Sequence, residues 1–275
     1  MKDTLTHILA GLILIVSFGA KGSPEEDRLA LVGYYKQLFP SIKLDNYVYG
    51  ALAMNPEAKE QYDGMMEFPP FANDIRQAGV QWETPFKNGN KYASCFKHGG
   101  NFAAATYPYF DDSIGKVVTF ENAINACLRL NNEPEIKYGS PEMALLTSYA
   151  KSLSDQSKVS IKVKSPGALA AYEKGKRLYY ERRGQLNFAC ATCHIDNAGK
   201  FVRSEQLSMM VGQASHWPEF RAGTEVVTLQ GRFIQCQKNT RAEPKEFNSA
   251  DYNNLEYFMT YMSNGLKMLT PVFRK

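Results

Sequence analysis

The sequence predicts a mainly helical protein with two tandem helical domains, and three observations support this prediction. Several groups of residues recur in the same order 109 or 110 positions apart. Apolar residues near the C-terminus fall at helical spacing, and a Cys-Ala-Thr-Cys-His motif lies in the second half alone. About 250 residues remain once a short N-terminal signal peptide, described below, is set aside. That length is enough for two domains, each able to bury its own core.

The internal repeat defines the two halves. Residues 117–120 (Val-Val-Thr-Phe) lead to Cys127, and residues 226–229 (Val-Val-Thr-Leu) lead to Cys236 with the same spacing, an offset of 109 positions. Several such matches in order predict a duplicated domain. Further pairs at offsets of 109 or 110 are Pro108 with Pro218, Leu146 with Leu255, and Tyr149 with Phe258.

The first residues resemble a secretory signal peptide. A short apolar run at residues 8–18 follows Lys2 and precedes small residues at Ala20 and Gly22. We expect cleavage of residues 1–22 and a mature protein in the periplasm, with an uncleaved anchor as the alternative. No later segment is apolar enough to cross a bilayer, so we expect no membrane association.

The charge balance is weakly positive. Removal of residues 1–22 lowers the formal net charge of +4 by one unit. Nucleic-acid binding uses clustered basic residues, so no nucleic-acid partner is expected. The balance is compatible with a small anionic substrate or an acidic surface on a partner protein.

The predicted domain boundaries follow from the repeat. Residues 23–151 form the first domain, residues 152–164 form a polar linker with a short strand at 159–163, and residues 165–275 form the second domain. Residues 40–90 are rich in turn-forming residues, which predicts loops and short helices around the first domain.

Helices are expected at both ends of the second domain. Ser165 can cap the first, Pro166 suits its first turn and Gly184 suits its end. The final helix covers about residues 250–264 and packs against the first. The side chains expected on the facing surfaces are Leu169, Tyr172, Gly175 and Tyr179 on the first helix, and Leu255, Phe258, Met259 and Met262 on the second.

The motif at residues 190–194 has the spacing of a c-type haem attachment site. Cys190 and Cys193 can add to the two vinyl groups of a haem, and His194 can then bind the iron. A redox dithiol or half of a zinc site shares the Cys pair, but no second ligand pair at zinc spacing follows. We therefore expect one covalent haem c, retained only in the second of two cytochrome c-like domains.

Three cysteines remain, and in an oxidising compartment two of them should pair. Cys95 lies where a haem motif would fall in the first half, but no second attachment thiol accompanies it. A domain without haem needs another cross-link, so we expect a Cys95–Cys127 disulfide. The alternative is a haem held by Cys95 through one thioether, with His98 as its ligand.

Cys236 is then the free thiol. It lies 42 residues after His194, a separation typical of the second axial ligand in a small cytochrome domain. A thiolate in a basic pocket is both a ligand and a nucleophile. Methionine is the alternative ligand, and the candidates are Met209, Met210, Met259, Met262 and Met268.

Two arginines flank this thiol. Arg232 lies one helical turn before Cys236, and Arg241 follows it. Guanidinium groups bind oxyanions through paired hydrogen bonds, so a thiolate beside arginine indicates chemistry on a sulfur oxyanion. The alternative is that both arginines pair with surface carboxylates.

These motifs resemble the SoxA subunits of the thiosulfate-oxidising Sox system. The likeness lies in residues 179–194, 241–244 and 254–265, and the surroundings of Cys95 are similar to the single-haem branch of that family. It covers nearly the whole mature chain.

The resemblance implies an enzyme, an L-cysteine S-thiosulfotransferase. With a small SoxX cytochrome, such proteins couple thiosulfate oxidatively to a cysteine of the carrier SoxYZ and pass two electrons to a c-type cytochrome. The implied roles are covalent haem attachment for Cys190 and Cys193, axial ligation for His194, axial ligation and catalysis for Cys236, and substrate binding for Arg232 and Arg241.

Two other functions are compatible with the motifs. A periplasmic electron-transfer cytochrome would use Cys236 only as a ligand or as a buried thiol. A haem-based sensor of gas or sulfide would need an open or easily displaced sixth position on the iron.

Overall fold

The computed structural model describes residues 22–221 and 225–274. The predicted signal peptide falls on residues 1–22, so all of it except Gly22 lies outside the described residues. Among the helices described, none combines the length and apolar character needed to cross a membrane.

The described residues are mainly helical. The α-helices are α1 Pro24–Leu38, α2 Pro56–Glu67, α3 Ala72–Glu83, α4 Phe120–Leu130, α5 Pro141–Ser152, α6 Pro166–Tyr180, α7 Cys190–His194, α8 Leu229–Asn239 and α9 Ala250–Met262. The 3₁₀ helices are Leu44–Met54, Tyr92–Cys95, Lys97–Gly100, Ala103–Thr106 and Gln213–His216. The strands are β1 Tyr109–Asp111, β2 Lys116–Val118, β3 Phe201–Val202, β4 Glu205–Gln206, β5 Glu219–Arg221, β6 Glu225–Val227 and β7 Val272–Arg274.

The two halves share one order of elements. A 3₁₀ helix precedes the antiparallel pair β1–β2, which leads into α4 and α5. A second 3₁₀ helix precedes the antiparallel pair β5–β6, which leads into α8 and α9 at offsets of 109 residues. β7 adds to β5 in parallel and extends this second sheet to three strands. The repeat seen in the sequence therefore corresponds to a repeated order of strands and helices.

The halves pack together closely. α5 contacts β6 of the second half, and α9 makes the corresponding contact with β2 of the first. Buried apolar side chains from both halves form one continuous core. The boundary predicted near residues 151–165 therefore does not separate two independent cores.

The N-terminal elements pack against the second half. The ring of Phe71 stacks on Phe220 at a centroid distance of 4.0 Å, and Arg274 Nη2 donates to the carbonyl oxygen of Val48 at 3.3 Å. The prediction that residues 40–90 surround the first half is therefore wrong for residues 40–71, whereas α3 packs on α5 as expected. Apolar contacts between residues far apart in the sequence place residues 40–71 against the second half. Local sequence patterns do not indicate such contacts.

The linker is bound along its length. Val159 and Ile161 are buried, and the Val159 amide donates to the carbonyl oxygen of Leu266 at 2.9 Å. The predicted strand at 159–163 is not present, and the segment instead makes an isolated bridge between Lys158 and Lys267.

Helix α6 begins as predicted but ends earlier. Ser165 Oγ accepts from the amide of Ala168 at 3.1 Å, and Pro166 opens the first turn. The helix ends at Tyr180, and Gly184 lies beyond it in a turn with φ +72°. Leu169 is exposed and is not on the packed face that buries Tyr172 and Tyr179.

The close approach of α6 and α9 depends on Gly175. A Cβ atom at this position would lie 2.0 Å from the carbonyl oxygen of Asn254 and 2.8 Å from Cβ of Phe258. Both contacts are far shorter than van der Waals distance, and the oxygen belongs to the backbone of α9. The two helices can therefore keep their spacing only with glycine at residue 175.

Gly175→Ala is expected to lower the free energy of unfolding by about 2 kcal/mol, because the cost of overpacking exceeds the gain in helix propensity. Gly33→Ala in α1 is a matched control, since no described atom outside its own helix backbone lies within 4 Å of the new Cβ. That control should be neutral or stabilising by about 0.5–1 kcal/mol. Urea unfolding followed by circular dichroism measures both, and equal effects would contradict this account of the helix contact.

Candidate haem and sulfur site

The attachment motif forms the short helix α7, Cys190–His194. Thr192 stabilises its start, because its Oγ1 accepts from the amide of Ala189 at 3.1 Å. Its carbonyl oxygen also accepts from Asn197 Nδ2 at 2.7 Å. One helical turn places Cys190 and Cys193 on the same side of this segment.

The surroundings of the two cysteines favour uncharged sulfur. Burial raises the pKa of Cys190 to about 12, with the negative charge of a Cys236 thiolate as the next contribution. Burial also raises the pKa of Cys193, and Cys236 again adds to the rise. A thioether sulfur is uncharged, so these positions fit covalent attachment. The shared influence of Cys236 places the three sulfurs in one electrostatic neighbourhood.

His194 is held as a neutral imidazole. Its Nδ1 lies 2.9 Å from the carbonyl oxygen of Ser208 and donates to it, which puts the lone pair of the ring on Nε2. Gln213 Nε2 lies 3.4 Å from this Nε2, the nitrogen that could bind a metal. Burial lowers the pKa of His194; the bond to Ser208 opposes this shift, and the charge of Arg232 adds to it. The neutral form is the one that coordinates iron.

Helix α1 contacts the attachment motif through the side chain of Tyr35. Tyr35 is fully buried, and its Oη donates to the carbonyl oxygen of His194 while accepting from the amide of Met210 at 3.1 Å. This hydroxyl joins the attachment segment to the segment that contains Ser208. Tyr35, Ser208 and Gln213 were not identified from the sequence, because their relation to His194 exists only after folding.

Cys236 and Arg232 lie on α8. Thr228 caps this helix, with its Oγ1 accepting from the amide of Gly231 at 3.1 Å. Residues four apart lie on the same face, so Arg232 and Cys236 are neighbours. The Arg232 guanidinium is half-buried, its Nη1 is 3.3 Å from Gln235 Oε1, and no carboxylate of the described chain pairs with it. An arginine with free hydrogen-bonding capacity beside a thiol is suited to binding an oxyanion.

Arg241 has different surroundings. It is exposed, and its Nη1 is 3.4 Å from Gln185 Oε1 in the loop that precedes the attachment motif. The five methionines considered as alternative ligands are all buried within the apolar core. His216, whose role the sequence did not indicate, is buried with its Nδ1 2.8 Å from Glu219 Oε1.

The first half contains the predicted disulfide between Cys95 and Cys127. Because this bond uses the sulfur of Cys95, the alternative of a haem held by Cys95 with His98 as its ligand is wrong. Cys127 is the repeat counterpart of Cys236. Equivalent positions in the two halves thus carry a cross-linked sulfur and a free one.

The donor set fits a covalently attached haem. Two thiols suited to thioether bonds and a neutral imidazole lie on α7, and a third sulfur lies on α8. Within the described chain, the buried atoms Tyr179 Oη and Gln213 Oε1 have no hydrogen-bond partner. Buried polar groups are nearly always paired, so the chain alone does not complete this region.

A mainly helical fold with this attachment motif defines the class of c-type cytochromes. The family model for the SoxA/TsdA cytochrome c domain matches residues 77–159 and 174–268. The chain belongs to the SoxA family.

The relatives span the whole chain. The L-cysteine S-thiosulfotransferase subunit SoxA of Allochromatium vinosum is 41% identical over 273 residues, covering 98% of this chain and 97% of the relative. The corresponding protein of Chlorobaculum tepidum is 38% identical over 287 residues and covers both chains completely. The crystal structure of SoxXA from P. pantotrophus matches with a TM-score of 0.68 at 31% identity, covering 75% of this chain and 79% of the other.

Proposed function

We propose that this chain is the catalytic subunit of a periplasmic L-cysteine S-thiosulfotransferase. With a SoxX-like cytochrome it couples thiosulfate to a cysteine of a SoxYZ-like carrier protein. The names of the relatives support the activity, and the SoxXA title of the structural neighbour supports the partner. The apolar run at residues 8–18 supports the periplasmic location.

One observation carries the proposal. Arg232 and the free thiol of Cys236 share a face of α8, beside the attachment segment that holds Cys190, Cys193 and His194. An oxyanion-binding group, a reactive sulfur and a redox group would therefore meet in one place. A carrier of electrons alone needs neither the arginine nor the free thiol.

The proposed cofactor is one haem c. Cys190 and Cys193 would hold it covalently, and His194 and Cys236 would bind its iron. When bound, the haem would supply one-electron acceptance at the site where sulfur is oxidised. The two-electron oxidation would therefore also need the partner cytochrome as an electron acceptor.

The proposed reaction balances in two steps. First, a sulfur–sulfur bond forms between the Cys236 thiolate and the sulfane sulfur of thiosulfate, and two electrons leave. The carrier thiolate then attacks that sulfane sulfur, which breaks its bond to Cys236 and restores the Cys236 thiolate. The carrier cysteine loses one proton and leaves with a –S–SO₃⁻ group. Arg232 binds the sulfonate oxygens during both steps.

A thiolate bound to iron cannot attack at the same time. Two routes would meet this requirement: the Cys236 thiolate would be unbound when it reacts with thiosulfate, or Cys236 would carry a sulfane sulfur whose outer atom reacts. The intact mass of the mature protein before and after reduction separates the routes, since only the second adds one removable sulfur.

The two halves are proposed to derive from a duplicated cytochrome c domain. Their shared order of elements, at offsets of 109 or 110 residues, supports this origin. In the first half the Cys95–Cys127 disulfide would replace the lost haem as the cross-link.

The proposal is tested by reconstitution. Mature protein, SoxX-like partner, carrier, thiosulfate and oxidised cytochrome c are mixed, and the carrier is analysed by mass spectrometry. The carrier cysteine should gain one S₂O₃ unit for every two molecules of cytochrome reduced. Cytochrome reduction with an unmodified carrier would instead identify an electron-transfer protein.

Arg232→Ala is expected to raise the KM for thiosulfate by about 10- to 100-fold, because charge-assisted hydrogen bonds to the anion are worth about 1.5–3 kcal/mol. Lys238→Ala is the matched control: it removes one positive charge from an exposed position on the same helix. Steady-state kinetics across thiosulfate concentrations measures both variants. Equal KM values for the two would remove Arg232 from the substrate site.

A further inference from the structure

The loop before the attachment motif is folded back on itself and bound to α8. Arg183 and Phe188 exchange backbone hydrogen bonds of 3.0 and 3.2 Å, which close a tight turn. The amide of Gln185 donates to the carbonyl oxygen of Arg241 at 3.3 Å, and that of Leu186 donates to Thr240 at 3.4 Å. We name residues 181–188 the docking loop, because these bonds attach it to the C-terminal end of α8.

Glycine in this loop permits the approach. Gly184 has φ +72°, and a Cβ atom there would lie 2.5 Å from the carbonyl oxygen of Thr240 and 2.7 Å from the amide nitrogen of Ala242. The docking loop therefore contacts the backbone that follows α8 directly.

The side chain of Arg183 extends this contact to the interior. The Gln237 amide satisfies both of its polar atoms when Oε1 accepts from Arg183 Nη2 at 2.8 Å and Nε2 donates to Tyr252 Oη and the carbonyl oxygen of Glu243, each at 3.2 Å. Gln237 is buried, the Arg183 side chain is 20% exposed, and the positive charge of Arg183 partly offsets the rise in the pKa of Cys190 caused by burial. Arg183 thus donates to Gln237 on α8 from the loop that leads into Cys190.

We propose that Arg183 is a positioning residue which, through Gln237, holds the helix bearing Cys236 against the segment bearing Cys190 and His194. This rests on the proposed ligation by His194 and Cys236. Iron ligands must be held to within a fraction of an ångström, so the position of Cys236 relative to His194 must be fixed by the surrounding chain. Loss of the guanidinium would remove the charge-assisted hydrogen bond to Gln237 Oε1 and would loosen α8 beside Cys236.

The test uses the haem-loaded protein and reads the axial ligands by absorption and electron paramagnetic resonance spectroscopy. Arg183→Met keeps an unbranched apolar stem but removes the charge and the hydrogen-bond donors. It should retain one haem per chain, while at least half of that haem acquires the spectrum of a Cys236→Ala reference. Gln237→Met should act in the same way, from the side of α8. If Arg183→Met does not yield haem-loaded protein, the spectrum of Gln237→Met provides the test instead.

Arg182→Met serves as the matched control. It removes a neighbouring exposed charge and should retain the wild-type ligand spectrum. A merely structural role for Arg183 would lower the melting temperature without changing the ligands.

The failures are distinguishable. A wild-type spectrum in Arg183→Met, together with an altered spectrum in Cys236→Ala, overturns the positioning role alone. An unchanged spectrum in Cys236→Ala overturns both this inference and the proposed ligation.

Discussion

Cys236→Ala is expected to abolish thiosulfate-dependent modification of the carrier, with at least a 1,000-fold loss of kcat/KM as an order-of-magnitude estimate. The substitution removes the only sulfur that can form the covalent intermediate, and alanine keeps the helix propensity of α8. Haem attachment should be unaffected, since Cys190 and Cys193 remain. Mass spectrometry of the carrier measures the first effect, and the intact mass of the variant measures haem content.

The same variant also separates catalysis from electron transfer. Its haem should still be reduced by an external donor, because its attachment thiols and His194 are intact. Lys238→Ala, on the surface of the same helix, should retain full activity. Retained turnover in Cys236→Ala would contradict the catalytic role of this sulfur, whereas loss of the haem would show that Cys236 has a structural role.

Removal of the disulfide has the second large expected effect. The Cys95→Ala/Cys127→Ala double variant should lose about 4 kcal/mol of unfolding free energy, because the bridge closes a loop of 32 residues in the unfolded chain. Alanine is used instead of serine because residue 127 is only 2% exposed, and a serine hydroxyl there would be buried without a hydrogen-bond partner. Urea unfolding of the double variant and the wild type, both without reductant, gives the difference.

Haem content is the second readout of this experiment. The double variant should keep one haem per chain, since the attachment thiols lie in the other half. Reductant should destabilise the wild type by a similar amount and leave the double variant unchanged. A loss of haem in the double variant, or no change in stability, would contradict the role of the bridge as a cross-link in the first half.

The sequence indicated the components of the candidate site but not the residues that surround them. The attachment motif, the free thiol and the arginine one turn before it are local patterns, because they depend on spacings within one helix or turn. The pairing of Cys95 with Cys127 followed from the repeat, and the structure confirms it. The groups around them come from distant parts of the chain. Tyr35, 159 residues before His194, holds its carbonyl oxygen, and Ser208 orients its ring.

Errors in the predicted fold have the same origin. Turn-forming residues in the segment 40–71 correctly indicate short elements, but they do not show which half will cover them. The buried rings of Tyr47 and Phe71 packed against the second half instead. Glycine often follows the end of a helix, but Gly184 lies beyond the end of α6. Its positive φ and missing Cβ instead allow the backbone to pack closely against the residues that follow α8. Glycine at this position indicates an unusual backbone conformation. Whether that conformation ends a helix or allows a close backbone contact depends on the residues packed around it.

The order of amino acids by itself determined the helical class, the repeat, the attachment motif and the family, because these depend on residue identity and short spacing. Only the tertiary structure decided that both halves share one core, that Ser208 holds Nδ1 of His194, and that Arg183 reaches Gln237 near the free sulfur. Those features depend on distances between residues far apart in the chain. Such distances follow from the packing of the whole molecule and not from any local preference.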